Sequence, residues 1–186
     1  MTSLPTVLVL ASGRGARFTA SGGTVHKLQA ALAGKPVLQH TLDAVRASGL
    51  PWHVEDVGHA GMGDSIAAAV RATAGAAGWL VLPGDLPLVQ AGTLRCIAEA
   101  APAPVTVPCY QGQRGHPVRF AADCGEALMN LSGEKGAAAV LMSYAAKGLV
   151  ALMDVDDVGI VTDIDTLQDL QRAHDLLAVR CGLRVT

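Results

Sequence analysis

Aromatic residues make up only 3% of the chain, with two Trp, two Tyr and two Phe. A core of stacked rings is therefore excluded, and packing must come from Ala, Val and Leu within a composition that is 51% hydrophobic. That apolar content also excludes a disordered chain. Basic tracts are missing and the formal net charge is −2, which argues against a surface that coats nucleic acid. No apolar run reaches the roughly 20 residues that span a bilayer, and the N-terminus lacks a signal-peptide pattern. The four cysteines, Cys96, Cys109, Cys124 and Cys181, fall at no metal-type spacing, so reduced thiols of a cytoplasmic protein are expected. No internal repeat or low-complexity linker interrupts the 186 residues, which predicts one domain over residues 1–186.

What the chain does have is alternation. Apolar runs at Val7–Leu10, Trp52–Val57, Trp79–Leu82, Val105–Pro108, Pro117–Phe120 and Leu149–Met153 read as strands. Between them, Pro36–Ser48, Asp64–Thr73, Ala91–Ala100, Gly125–Asn130, Gly136–Ala145 and Thr166–Leu177 read as helices. Asp64 or Ser65 is the expected N-cap of the second helix. Thr166 with Asp169 is close to a capping box at the start of the last. Tyr110–His116 reads as a polar loop. The alternation predicts an α/β fold, a three-layer α/β/α domain with a mostly parallel sheet. Such sheets bind ligands beyond the carboxyl ends of their strands, where this chain places its polar clusters.

The first cluster is the sharpest. Val7–Leu10 ends in Ala11-Ser12-Gly13-Arg14-Gly15-Ala16-Arg17-Phe18, and Lys27 follows before helix-like sequence resumes. Glycines let backbone N–H groups approach anionic oxygens, and the cations neutralise them, so the loop suits a polyphosphate. It is not a dinucleotide fingerprint, because Phe18 stands where a third small residue is needed. Nor is it a P-loop: Gly34-Lys35 has neither the spaced upstream glycine nor a following Ser or Thr.

Six blocks in order carry a family likeness: Leu10–Phe18 with Lys27-Leu28 and Gly34–Leu38; Gly61-Met62-Gly63-Asp64-Ser65-Ile66; Pro83-Gly84-Asp85-Leu86-Pro87; Gly115-His116-Pro117-Val118; Leu131-Ser132-Gly133-Glu134-Lys135-Gly136-Ala137; and Asp163-Ile164-Asp165-Thr166. Together they resemble the MobA-like nucleotidyltransferases, and the Gly115–Val118 block resembles the molybdenum cofactor cytidylyltransferase branch.

The resemblance implies nucleotidyl transfer. An acceptor phosphate attacks the α-phosphorus of CTP, and pyrophosphate leaves. It assigns Arg17 and Lys27 to neutralise the triphosphate as catalytic residues. Asp85 and Asp165 become ligands of Mg²⁺. Leu10, Ala11, Ser12, Gly13, Arg14 and Gly15, with Pro83, become nucleotide-binding. Gly63 and Ser65 lie in the loop against base or ribose. His116, Ser132 and Gly133 face a phosphorylated acceptor such as molybdopterin, with a molybdoenzyme as a further partner. Other donors (GTP or another NTP) with another phosphorylated acceptor, or a non-catalytic nucleotide- or cofactor-binding accessory of a molybdoenzyme, are the alternatives.

The chain departs from the family pattern at Ser12, Glu134, Ala138 and Leu167, and in a longer stretch from Phe18 to Lys27. Only Gly49–Val57 separates the first helix from the Gly61-Met62 loop, so one βα unit is expected to be missing and the sheet trimmed on that side. Asp85, Asp163 and Asp165 also read as turn acids, His116 as a structural histidine, and Met62 as a packing residue. Asp154, Asp156 and Asp157 read as a polar loop. His53, Glu55, Asp56 and His59 superficially resemble metal ligands but match no zinc spacing.

Overall fold

The computed structural model describes residues 4–180 and 182. Its first apolar run forms β1 (Thr6–Leu10), buried along its whole length. Side chains alternate across a strand, so Val7 and Val9 point to one face and Leu8 and Leu10 to the other. Both faces are covered, and this explains why the run is uniformly apolar rather than alternating.

The remaining elements follow in order: α1 (Ala16–Ala20), β2 (Ala31–Leu32), β3 (Lys35–Pro36), α2 (Val37–Ser48), β4 (Trp52–Glu55), α3 (Met62–Ala72), β5 (Gly78–Pro83), α4 (Ala91–Ala98), β6 (Val105–Tyr110), β7 (Gln113–Arg114), β8 (Val118–Ala121), α5 (Gly125–Met129), α6 (Ala138–Ala146), β9 (Val150–Asp154) and α7 (Leu167–Arg180). Short 3₁₀ turns occupy Lys27–Gln29, Ala122–Cys124 and Val158–Val161.

The main sheet runs β4-β1-β5-β8-β6-β7, with β9 added to β6. β1 is parallel to β4 and β5, and β6 is parallel to β9. β8 alone separates the two parallel groups, antiparallel to both β5 and β6. β4, β1, β5, β6 and β9 therefore direct their carboxyl ends to one edge. β2 and β3 form a separate two-stranded ribbon.

One face packs Leu8, Val81, Val107 and Phe120 against Ile66 and Val70 of α3, Leu128 of α5 and Val140 of α6. The other packs Val7, Val9, Leu80 and Leu82 against Val45 of α2 and Leu94 and Ile97 of α4. Each such side chain contributes about 1.5–3 kcal/mol when removed from water. The expected three-layer α/β/α arrangement with a mostly parallel sheet is what forms. Both phenylalanines, Phe18 and Phe120, are fully buried. Beyond β1 the sheet ends after the single strand β4, as the short segment between α2 and α3 requires.

Several boundaries differ from expectation. α3 starts at Met62, with Gly61 at its N-cap and no side-chain cap. Asp64 instead accepts from the Gly133 N–H at 2.9 Å, and Ser65 is buried. The polar loop after β6 folds as a hairpin, Gln113 and Arg114 pairing back onto Tyr110 and Cys109. α6 begins two residues late because Gly136 adopts a left-handed conformation, φ +55°. α1 and the β2–β3 ribbon had no periodic signal. The capping box at α7 forms: Thr166 N–H donates to Asp169 Oδ2 at 2.8 Å, and Asp169 N–H donates to Thr166 Oγ1 at 3.2 Å. Asp157 is no solvated loop acid. It is 1% exposed and accepts from Gln90 N–H (2.9 Å), Thr93 Oγ1 (2.8 Å) and Gly159 N–H (2.9 Å), so it caps α4 from across the fold. Among the described cysteines, Cys96, Cys109 and Cys124 are free thiols, and Cys181 lies outside the described residues.

Candidate active site

Loops leave β4, β1 and β5 side by side, and backbone hydrogen bonds knit them together. Ala11 N–H donates to the Glu55 carbonyl (2.8 Å), Gly84 N–H to the Leu10 carbonyl (2.9 Å), and Ile164 N–H to the Asp85 carbonyl (3.0 Å). The last bond brings Asp165 beside Asp85 despite their separation in sequence.

The glycine-rich loop is held from two sides. Ser12 Oγ lies 2.6 Å from Ser65 Oγ on α3. His26 accepts from Leu28 N–H through Nδ1, so its Nε2–H donates to the Gly13 carbonyl at 2.6 Å. Gly15 turns the chain with φ +64°, a conformation that favours glycine. The long stretch after Phe18 folds back on itself. Gly23 N–H donates to the Phe18 carbonyl at 3.0 Å, and a side chain on Gly23 would run into the Phe18 ring. That return delivers Lys27 to the loop.

Lys27 then stands between two carboxylates. Its Nζ is 2.5 Å from Asp85 Oδ2 and 2.9 Å from Asp165 Oδ1. Arg17 Nη1 takes the other Asp165 oxygen at 2.5 Å, while its own side chain is 78% exposed. Burial alone would lower the Lys27 pKa. The charges and hydrogen bonds of Asp85 and Asp165 outweigh it and hold the ammonium above its ordinary value. Asp163, at the rim, has its carboxyl raised by partial desolvation and then by the neighbouring charges of Asp85, Asp165 and Asp169. His116 is shifted the opposite way: burial holds its imidazole below the usual histidine value, only partly offset by the Val81 carbonyl and by Asp85 and Asp163.

Does this centre fit a divalent cation? Asp85 Oδ1 is buried without a hydrogen-bond partner, a free hard-oxygen ligand next to a second carboxylate. Among the described residues no group of three His, Cys, Asp or Glu could hold a metal alone. Two hard-oxygen carboxylates suit a divalent cation rather than a closed structural site. The residues fit such an ion.

Two adjoining cavities lie beside this centre, and Lys27 and Asp165 line the first of them. The first, of 340 Å³, is lined by Ser12–Arg17, Lys27, Asp165, His59–Met62, Ser65 and Glu134. The second, of 540 Å³, has an apolar floor of Ile66, Val81, Val107, Val118, Phe120 and Leu141 and a cationic rim of Arg17, Arg114 and Lys135, with His116 in its wall. Arg17, Met62 and Glu134 border both.

Not every expected site residue reaches the cavity assigned to it. Leu10 and Pro83 line the second cavity rather than the first. Ala11 is tied into the sheet edge through its N–H. Gly63 N–H donates to the Gly133 carbonyl at 2.8 Å, and a Cβ on Gly63 would meet the Ser132 backbone at 2.8 Å. Gly63, Ser132 and Gly133 thus form a clasp between α3 and the following loop, and Ser132 borders a separate shallow depression with Asp64 and Arg71. His26, which supports the glycine-rich loop, and Arg114, at the second cavity, also belong to the site, and no sequence motif marks either.

His53, Glu55 and His59 do come together, but not as a metal cage. His59 Nε2 lies 3.0 Å from Glu55 Oε1, and His53 Nε2 lies 3.5 Å from Oε2, so each ring meets a different oxygen.

Comparison with known proteins agrees with this geometry. The structure of Rv0371c from Mycobacterium tuberculosis H37Rv superposes with a TM-score of 0.77 at 26% identity, over 94% of this chain and 100% of that one. Its complex with manganese gives 0.72 at 25% identity, over 91% and 97%. A nucleotidyl transferase from Methanothermobacter thermautotroptrophicus, Mth528, shares the fold, with a TM-score of 0.78 at 23% identity over 95% and 99%. Among curated relatives, the purine catabolism protein PucB of Bacillus subtilis is 29% identical over 63% of this chain, and the chain spans 58% of its length. The bifunctional protein GlmU of Desulfitobacterium hafniense is 28% identical over 58% of this chain, which spans 29% of it. The MobA-like NTP transferase domain matches residues 43–148, more than half of the sequence. This chain therefore belongs to the MobA-like NTP transferase family.

Proposed function

We propose that the protein is a Mg²⁺-dependent cytidylyltransferase that moves CMP from CTP to the phosphate of a molybdopterin-type acceptor and releases pyrophosphate. Its unit is read as one domain spanning residues 1–186, cytoplasmic, with a molybdoenzyme as recipient of the product. The observation that carries the reading is the meeting of a cationic loop cavity and an apolar, cation-rimmed cavity at Arg17, Met62 and Glu134.

The polar lining supports a different substrate in each cavity. A triphosphate suits the first cavity, where Gly13–Gly15, Arg17 and Lys27 gather N–H groups and positive charge. A flat heterocycle with an anionic tail suits the second, whose floor offers no partners for the many hydroxyls of a sugar. His116 Nδ1, buried and without a partner, is available there to a polar group of the acceptor.

In the reaction an acceptor phosphate oxygen forms a bond to the α-phosphorus of CTP. The bond from that phosphorus to the bridging oxygen breaks, and its electron pair leaves on pyrophosphate. Arg17, largely exposed and reaching across the mouth of both cavities, neutralises charge as it shifts to the leaving group. Lys27, held protonated by its two carboxylates, keeps a full positive charge beside the phosphates. Asp85 and Asp165 would hold Mg²⁺, which supplies further charge neutralisation when bound. The manganese complex of Rv0371c supports a divalent cation at such a site.

Thermal melting with Mg²⁺ and each of CTP, GTP, ATP and UTP tests the donor. At a hundred times its dissociation constant a ligand adds about 2.7 kcal/mol, or roughly 5–10 °C for a domain of this size. CTP is expected to give the largest rise. A larger rise with GTP would remove the cytidylyl assignment.

A further inference from the structure

We propose that His59, oriented by the buried carboxylate of Glu55, is the residue that recognises the amino group of the nucleobase. The inference rests on the nucleotide site proposed above and names the residue that sets its base preference.

Topology separates the two ends of the nucleotide. β1 lies between β4 and β5, so the loops after those outer strands stand about two strand spacings, ~10 Å, apart on either side of the glycine-rich loop. Asp85 follows β5, and with Lys27 it marks the phosphate end. His59 follows β4, on the opposite flank, yet it lines the same cavity as Ser12–Arg17. A nucleotide with its phosphates at Lys27 extends its base toward His59.

Glu55 fixes the chemistry of that histidine. It is 7% exposed at the last position of β4, and its backbone carbonyl accepts from Ala11 N–H, which anchors it to the phosphate loop. A carboxylate only accepts hydrogen bonds, so His59 Nε2, 3.0 Å from Oε1, carries a proton. In the neutral tautomer that donates through Nε2, Nδ1 carries the lone pair, and among the described residues it has no hydrogen-bond partner. An acceptor in this place pairs with an exocyclic amine such as N4 of cytosine, and it repels a carbonyl oxygen such as O4 of uracil. Glu55 sets this buried carboxylate against two rings, His59 at 3.0 Å and His53 more loosely at 3.5 Å, and among the described residues the group forms no metal site that would account for it.

The test is the ratio of CTP to UTP affinity, measured by titration calorimetry with Mg²⁺ at about pH 8, where histidine is neutral. Wild type should favour CTP by roughly tenfold or more, the scale of one well-placed hydrogen bond. His59→Phe keeps a ring in place but removes the acceptor. It should bring the ratio close to one while leaving pyrophosphate affinity unchanged. His59→Ala should do the same, which guards against a steric effect of the larger ring. CTP binding with a wild-type ratio in both variants would overturn the role of His59 and leave the nucleotide site standing. A wild type that binds neither nucleotide would overturn both.

Discussion

Lys27 Nζ sits 2.5 Å from Asp85 Oδ2, on the carboxylate whose other oxygen is buried and unpartnered. With Asp165 at 2.9 Å, the ammonium fills the space between two acids that a divalent cation would bridge on the account above. Lys27→Ala leaves those acids facing each other. It should cost roughly 1–3 kcal/mol in urea denaturation without metal, less than a fully enclosed pair because both partners keep some solvent contact. Manganese should then raise the melting temperature of Lys27→Ala more than that of wild type, since the metal takes over the lost charge. Equal responses to manganese would separate the lysine from the metal position.

His116 gives a pH signature. Its folded pKa lies below the unfolded value near 6.5, so the unfolded chain binds the extra proton first. Stability contributed by this group is therefore present above about pH 6.5 and falls as the solution is acidified below it. His116→Gln should flatten the fall in melting temperature between about pH 6.5 and pH 5. A variant with the wild-type slope would assign the acid sensitivity elsewhere.

Asp157 should prove structural and not catalytic. Asp157→Ala strands the Gln90 and Gly159 N–H donors and the Thr93 hydroxyl in the interior. Lost cap and unsatisfied donors together predict a loss of roughly 2–4 kcal/mol. Turnover per folded molecule should stay near wild type. A loss below about 0.5 kcal/mol, the range of ordinary surface changes, would contradict the hub described here.

Much of the fold was legible because its strands are covered on both faces. Val7–Leu10 and Trp79–Leu82 could only be buried parallel strands, and the Thr166–Asp169 box announced α7. In the site, Lys27, Asp85 and Asp165 are drawn from three separate sequence blocks, and Lys27 lies within hydrogen-bond distance of both acids. What escaped depends on tertiary contact. Asp157 looks like its neighbours Asp154 and Asp156, and only α4 distinguishes it. Gly63, Ser132 and Gly133 stand in binding motifs, yet Gly63 packs directly against the Ser132 backbone and donates to the Gly133 carbonyl, contacts between α3 and the next loop that only the folded chain makes. Glu55 and His59 had the wrong spacing for a metal, and their pairing needs β4 to end beside the glycine-rich loop.

The most direct measurement is pyrophosphate release from CTP with Mg²⁺ and a molybdopterin acceptor. The account predicts release that depends on all three components and that drops at least roughly a hundredfold in Lys27→Ala or Asp85→Asn, the scale of losing one charge-stabilising group. CTP binding without any release, or wild-type turnover in those variants, would contradict it.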